Sequence, residues 1–188
     1  MSKLCQLLLR VFGWKIVGEA PELSHCVIIV APHTSNWDFI IAILFKISKK
    51  MNLRYFGKDS LFKWYNGWFF KFFGGMPVDR TSPRNAVNDK VHSLKNAPRF
   101  WLGMAPEGTR SYSKYWRSGF YHIAYRAKVP IVMVFIDAKT KTVGFGPTLE
   151  LTGNVKPDMD VIREFYSDKV GIKPHLTAPI QLKDELQK

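Results

Sequence analysis

Residues 26–45 read CVIIVAPHTSNWDFIIAILF, two apolar runs on either side of a polar turn. The first run, 26–31, is short and rich in β-branched residues, which predicts a buried strand that ends at Pro32. The second run, 39–45, is long enough with its flanking residues to predict a helix. The turn between them therefore joins a strand to a helix, and we expect the rest of the fold to support it.

This turn carries a histidine and an aspartate five residues apart, His33 and Asp38. In one regular helix they would be about 140° apart and point in different directions. With His33 on the turn and Asp38 in the first helical turn, the carboxylate can reach an imidazole nitrogen, which is the arrangement of a general base. Ser35-x-x-Asp38 is also a capping-box pattern, so the alternative is an aspartate that only caps the helix.

Length and charge limit the possible functions. A chain of 188 residues with 46% apolar content suits one domain with a hydrophobic core. Residues 1–147 contain 22 basic residues (Lys and Arg) and 8 acidic residues (Asp and Glu). Residues 148–188 contain 6 basic and 7 acidic residues. This basic body predicts an anionic partner: phosphate head groups, a membrane surface, an acidic carrier or nucleic acid. The two cysteines, Cys5 and Cys26, form no recognisable framework, which favours a reducing compartment.

The sequence predicts a chain that is neither exported nor threaded through a membrane. No apolar run approaches the ~20 residues of a spanning helix, and polar residues interrupt the N-terminal segment too early for a signal peptide. Residues 1–22 contain an amphipathic helix, either a membrane-surface anchor or an ordinary packed helix. Residues 61–73 are crowded with aromatics and two lysines, which suits a bilayer interface or an acyl groove, or else a buried aromatic helix.

Strand and helix patterns alternate along the remaining chain. Strands are predicted at 53–57, after a turn within 74–80, at 99–105, at 129–136 and within 143–151, and helices at 84–96, 119–127 and 158–170. This alternation predicts an α/β fold, a single domain with a central, mostly parallel β-sheet flanked by helices. We expect this domain to span 23–180, with 181–188 as a C-terminal tail and the last dozen residues loosely ordered.

Four short blocks stand in order along the chain: HTSNWD at 33–38, GMPVDR at 75–80, PEGTRS at 106–111 and VPIV at 129–132. Together they resemble the glycerolipid acyltransferase family, whose bacterial type member acts on 1-acyl-glycerol-3-phosphate. The resemblance covers roughly residues 25–137 and implies that family's fold. This chain has Pro32 where the family usually has Asn, and Met133 where it often has a second Pro.

The resemblance assigns roles to particular positions. It implies that His33 is the catalytic base and that Asp38 orients it. It further implies that the second block, with Gly75 and Arg80, holds the acceptor's phosphate. The third block is implied to complete the acceptor site, through Glu107, Gly108, Thr109 and Arg110. The strand after Pro130 is expected to shape the acyl-donor side.

The resemblance implies a transferase that moves a fatty acyl group from acyl-CoA or an acyl carrier protein to a lysophospholipid hydroxyl. The leading acceptor is 1-acyl-glycerol-3-phosphate, and another lyso-lipid such as a lyso-aminolipid is the first alternative. A non-catalytic basic module that binds lipid or nucleic acid is the second. We expect no metal, no other cofactor and no nucleic acid, and a peripheral protein on the cytoplasmic face of a membrane. A Gly-x-Ser-x-Gly elbow is absent, so direct attack in a ternary complex is expected.

Overall fold

A computed structural model describes residues 1–64, 67–78 and 83–186. Its strands are β1 (Lys15–Val17), β2 (His25–Ala31), β3 (Leu53–Lys58), β4 (Gly75–Val78), β5 (Phe100–Met104), β6 (Ile131–Asp137) and β7 (Thr142–Leu149). The α-helices are α1 (Ser2–Val11), α2 (Asn36–Ser48), α3 (Gly67–Phe72), α4 (Pro83–Asn96), α5 (Gly119–Ala127) and α6 (Val155–Tyr166). Short 3₁₀ helices lie at Asp59–Phe62, Pro174–Leu176 and Lys183–Leu186.

All seven strands form one sheet in the order β1-β7-β6-β2-β5-β3-β4. Every neighbouring pair is parallel except β6 and β7, which pair antiparallel. A short connection of residues 138–141 suffices for that pair, whereas parallel neighbours need longer crossovers. The predicted α/β domain with a mostly parallel central sheet is confirmed.

Strand β2 is buried on both faces, which explains why its sequence is a continuous apolar run rather than an alternating one. Val27 and Ile29 face a core that includes side chains of α4, α5 and α6. Cys26 and Ile28 face a second core, to which α1 and α2 contribute. The strand that leads into the histidine turn is therefore held between two packed layers.

The N-terminal segment contains the predicted helix and, after it, a strand that was not predicted, whereas the C-terminal segment differs from the prediction. Helix α1 ends at Val11, and residues 15–17 form the edge strand β1, paired with β7. At the other end, Leu182 is buried and Glu185 lies 2.6 Å from Arg163 of α6. The expectation of a loosely ordered last dozen residues is therefore wrong through residue 186, because this segment packs on α6.

The aromatic helix α3 is not the buried helix that was one alternative for this segment. Trp68 and Phe72 are each 68% exposed, and Phe69 is 38% exposed. None of the helices within the described residues is long and apolar enough to cross a bilayer.

Candidate active site

The histidine turn lies at the carboxyl end of β2, where the sheet also brings the loop after β5. Ile29 of β2 is in register with Met104 at the end of β5. Because parallel strands end at the same edge of a sheet, residues 32–38 and 105–110 meet there. Neighbouring strands thus bring the first and third sequence blocks together. They meet at the contact between His33 and Glu107, which are 74 residues apart in the chain.

Asp38 makes both the capping contacts and the histidine contact that the sequence left as alternatives. Its Oδ2 accepts hydrogen bonds from the backbone N–H groups of Thr34 and Ser35, both at 2.6 Å, and Ser35 completes a capping box at the start of α2. The same Oδ2 lies 3.4 Å from His33 Nδ1. Asp38 is 1% exposed and His33 17%, so a buried carboxylate meets an imidazole that reaches the surface. A contact of this length commonly shortens when a reacting group binds.

The second ring nitrogen of His33 also has a partner. Nε of Arg110 donates to Nε2 of His33 over 3.3 Å. Because a guanidinium can only donate, Nε2 carries a lone pair in this contact, and the ring proton is on Nδ1 beside Asp38. This is the tautomer that a general base requires, with the free lone pair on the nitrogen away from the carboxylate.

Glu107 is a buried side chain that binds the backbone of the histidine turn. Its Oε1 accepts a hydrogen bond from the backbone N–H of His33 at 2.9 Å, and the residue is only 3% exposed. Burial raises the pKa of Glu107 to about 7, although the hydrogen bonds from its own backbone and from His33 act in the opposite direction. Within the described part of the chain, its Oε2 is buried with no hydrogen-bond partner. Glu107 therefore touches the base's backbone rather than the protein surface.

The loop after β5 owes its shape to Gly108 and Thr109. Gly108 has φ +67°, and a Cβ there would lie 2.9 Å from Cγ of Arg117, so only glycine fits without a shift. The hydroxyl of Thr109 accepts a hydrogen bond from the N–H of Ser111 at 3.1 Å. This loop conformation places the exposed Arg110 beside His33.

The second block lies elsewhere in the sheet. Gly75 begins β4, and β5 and β3 separate that strand from β2, a spacing of roughly 14 Å across the sheet. A Cβ at Gly75 would lie 2.7 Å from the carbonyl oxygen of Phe70, so this glycine allows a close backbone approach. Arg80, assigned to the acceptor's phosphate by the resemblance, lies outside the described residues.

A contact that the sequence did not suggest fastens the turn from the C-terminal side. Thr34 Oγ1 accepts a hydrogen bond from the backbone N–H of Lys173 at 3.0 Å. A Cβ at Gly171 would lie 2.7 Å from the same oxygen. No local pattern reveals this packing, since the partners are 139 residues apart. Among the described residues there is no group of three or more side chains that could hold a metal ion.

Comparison with known proteins identifies the family of this chain. A family model described as Acyltransferase matches residues 15–137, which include both halves of the candidate site. The chain therefore belongs to the Acyltransferase family. It is 29% identical to the 1-acyl-sn-glycerol-3-phosphate acyltransferase of Saccharomyces cerevisiae in an alignment of 137 positions. That alignment covers 65% of this chain and 42% of the yeast protein, so the chain spans less than half of that relative.

A solved structure shares the fold. The crystal structure of the 1-acyl-sn-glycerophosphate acyltransferase from Thermotoga maritima superimposes with a TM-score of 0.62 at 17% sequence identity. The match covers 89% of this chain and 77% of that one. At this identity the likeness supports the architecture, while residue roles rest on the geometry described above.

The double role of Asp38 predicts a separation of stability from turnover. In Asp38→Asn the amide oxygen can still accept the backbone N–H groups, so the cost in unfolding free energy should stay near 1 kcal/mol. Loss of the carboxylate beside Nδ1 should lower acyl transfer by about 10²- to 10⁴-fold. Ser35→Ala is the matched control, because it removes the cap from Trp37 N–H and leaves the Asp38–His33 contact. Equal turnover in Asp38→Asn and Ser35→Ala would contradict the orienting role.

The raised pKa of Glu107 predicts a pH-dependent stability. The folded chain keeps this proton up to about pH 7, whereas the carboxyl ordinarily loses it near 4.5. Stability should therefore fall as pH rises through this interval, by on the order of 3 kcal/mol. Glu107→Gln keeps an acceptor for His33 N–H and removes the titration. Urea unfolding at pH 5 and pH 7.5 measures the fall in unfolding free energy. This fall should be smaller in Glu107→Gln than in the parent chain or in the exposed control Glu150→Gln. An equal fall in all three proteins would refute this account.

Proposed function

We propose that this chain transfers a fatty acyl group from an acyl thioester to the hydroxyl of a lysophospholipid, with 1-acyl-sn-glycerol-3-phosphate as the leading acceptor. The observation that carries the proposal is His33 with Nδ1 against the buried carboxylate of Asp38, in a chain of the Acyltransferase family. The printed names of the yeast and Thermotoga relatives support the choice of acceptor. The donor is acyl-CoA or an acyl carrier protein.

The site's residues suit direct transfer in a ternary complex. Nε2 of His33 takes the proton of the acceptor hydroxyl as its oxygen attacks the thioester carbonyl. A carbon–oxygen bond forms, the carbon–sulfur bond breaks, and the proton passes to the departing thiolate. General-base help of this kind lowers the barrier by roughly 3–5 kcal/mol. The guanidinium of Arg110, next to His33, suits the acceptor's phosphate because its planar fork binds two oxygens.

An apolar groove offers a place for the acyl chain. It has a volume of about 350 Å³ and follows α2 from Phe39, directly after Asp38, to Ile47. Helices α1 and α3 form its other walls, through Met1, Leu4, Cys5, Phe69, Phe72 and Phe73. A groove of this size and apolar lining suits a hydrocarbon chain.

The surface of α1 supports a peripheral position on a membrane. Leu4, Leu7 and Val11 are 58%, 56% and 71% exposed, which is unusual for one helix of a protein surrounded by water. Beside this apolar face, three cations line a surface pocket with Gln6, Trp14 and Ile16: Arg10, Lys15 and Lys49. Apolar side chains flanked by positive charge favour a bilayer with anionic lipids, and we place this surface on the cytoplasmic face.

The exposed face of α1 predicts a specific loss of membrane binding. Leu7→Glu together with Val11→Glu should lower binding to vesicles that contain anionic lipid by about 100-fold, since each buried aliphatic side chain contributes about 1.5–3 kcal/mol. The fold should be retained because both positions are exposed. Val161→Glu, at a 44% exposed position of α6, is the matched control. Co-sedimentation with vesicles measures the effect, and equal binding of both variants would contradict the assignment.

The acceptor class is tested by presenting the purified chain with labelled palmitoyl-CoA or palmitoyl carrier protein and a panel of lyso-lipids. We expect the label in phosphatidate when lysophosphatidate is supplied, and much less product from lysophosphatidylcholine. If product forms from a lyso-aminolipid instead, the chain acts on a different acceptor from the one proposed. Vesicle binding without transfer to any acceptor would favour a non-catalytic lipid-binding module.

A further inference from the structure

Arg110 and His33 form a contact that acyl transfer cannot use as it stands. The Nε–H of Arg110 points at Nε2 of His33 over 3.3 Å. That lone pair is the one which must receive the acceptor's proton, since Nδ1 faces Asp38. The base is therefore correctly oriented and at the same time covered.

We propose that Arg110 determines acceptor specificity by covering Nε2 of His33 until a phosphate on the acceptor withdraws the guanidinium. This inference rests on the proposed acyl transfer and adds a condition to it. An alcohol with a nearby phosphate uncovers the base on binding. Water and neutral alcohols bind without uncovering it, so they are not activated.

The strengths of the two contacts favour this exchange. A guanidinium bound to a neutral imidazole makes a single hydrogen bond, here a long one. A guanidinium bound to a phosphate makes paired, charge-assisted bonds that are roughly twice as strong as neutral ones. Arg110 forms no ion pair with a carboxylate in the part of the chain that the structure describes. Its charge is available to an anionic acceptor.

The exchange needs a side chain with room to move, and among the charged site residues that the structure describes only Arg110 is exposed. The side chain of Arg110 is exposed, whereas Asp38 and Glu107 are 1% and 3% exposed. His33 is held through its backbone N–H by Glu107 and through Nδ1 by Asp38. The guanidinium can leave while the imidazole stays in place. The consequence is protection of the acyl thioester from hydrolysis while no phosphate-bearing acceptor is bound.

The first test is the release of free coenzyme A from palmitoyl-CoA without an acceptor. Arg110→Ala should hydrolyse the thioester about tenfold faster than the parent chain, because water now reaches Nε2. The double variant Arg110→Ala with His33→Ala should return to the parent rate. Arg126→Ala, which removes an exposed arginine of α5, controls for lost charge and should match the parent. An unchanged rate in Arg110→Ala, or a rise that persists in the double variant, would overturn the proposal.

The second test observes the imidazole directly and does not depend on turnover. In a ¹⁵N spectrum of the parent chain, glycerol 3-phosphate should move the His33 Nε2 signal toward its position in Arg110→Ala, and chloride at equal ionic strength should not. A signal that stays in place in the parent chain overturns the proposal. If Arg110→Ala raises hydrolysis but the parent chain transfers nothing to lysophosphatidate, the proposed function is wrong and the covering role of Arg110 stands. If the parent chain transfers acyl groups to lysophosphatidate but Arg110→Ala leaves hydrolysis unchanged, the proposed function stands and the covering role is wrong.

Discussion

One oxygen atom, Oδ2 of Asp38, organises the catalytic turn. It accepts the N–H groups of Thr34 and Ser35 and faces Nδ1 of His33. The first two contacts start α2 and fix the backbone, and the third sets the ring's tautomer. Because the carboxylate is buried, its position cannot vary without breaking the helix start. The capping contacts and the contact with His33 therefore depend on the same buried oxygen atom and are compatible with each other.

The sheet brings to the histidine turn two side chains that are distant from it in the sequence, Glu107 and Arg110. Strands β2 and β5 are parallel neighbours, so their carboxyl ends place Glu107 under the backbone of His33 and Arg110 against its ring. The buried Glu107 contributes a hydrogen-bond acceptor for the His33 backbone, while Arg110 contributes an exposed positive charge. Under the proposed function, this charge beside the base suits an acceptor that carries its own phosphate.

The local parts of this arrangement could be predicted from the sequence. The strand, turn and helix of 26–45 follow from two apolar runs, and the possible contact between His33 and Asp38 follows from their placement on either side of the helix start. The role of Glu107 could not be predicted in the same way, because its partner is a backbone N–H 74 residues away. The three-residue strand β1 was too short to give a periodic signal. Its place in the sheet depends on pairing with β7.

Long-range packing also explains the differences at the C-terminus. The apolar residues near the C-terminus, Ile180, Leu182 and Leu186, are separated by polar residues, so the sequence indicates little order there. In the structure Leu182 is 1% exposed, and Glu185 pairs with Arg163. The predicted roles of Gly75 and Arg80 remain predictions: Gly75 lies on β4, which β5 and β3 separate from β2, and Arg80 is outside the described residues.

The most direct test of the catalytic base is the rate at which His33→Ala transfers labelled acyl groups to lysophosphatidate, compared at equal vesicle binding and equal unfolding temperature. If His33 takes the hydroxyl proton, the rate falls by about 10²- to 10⁴-fold while binding and folding are unchanged. A variant that binds, folds and transfers like the parent chain would show that the imidazole has no part in the reaction.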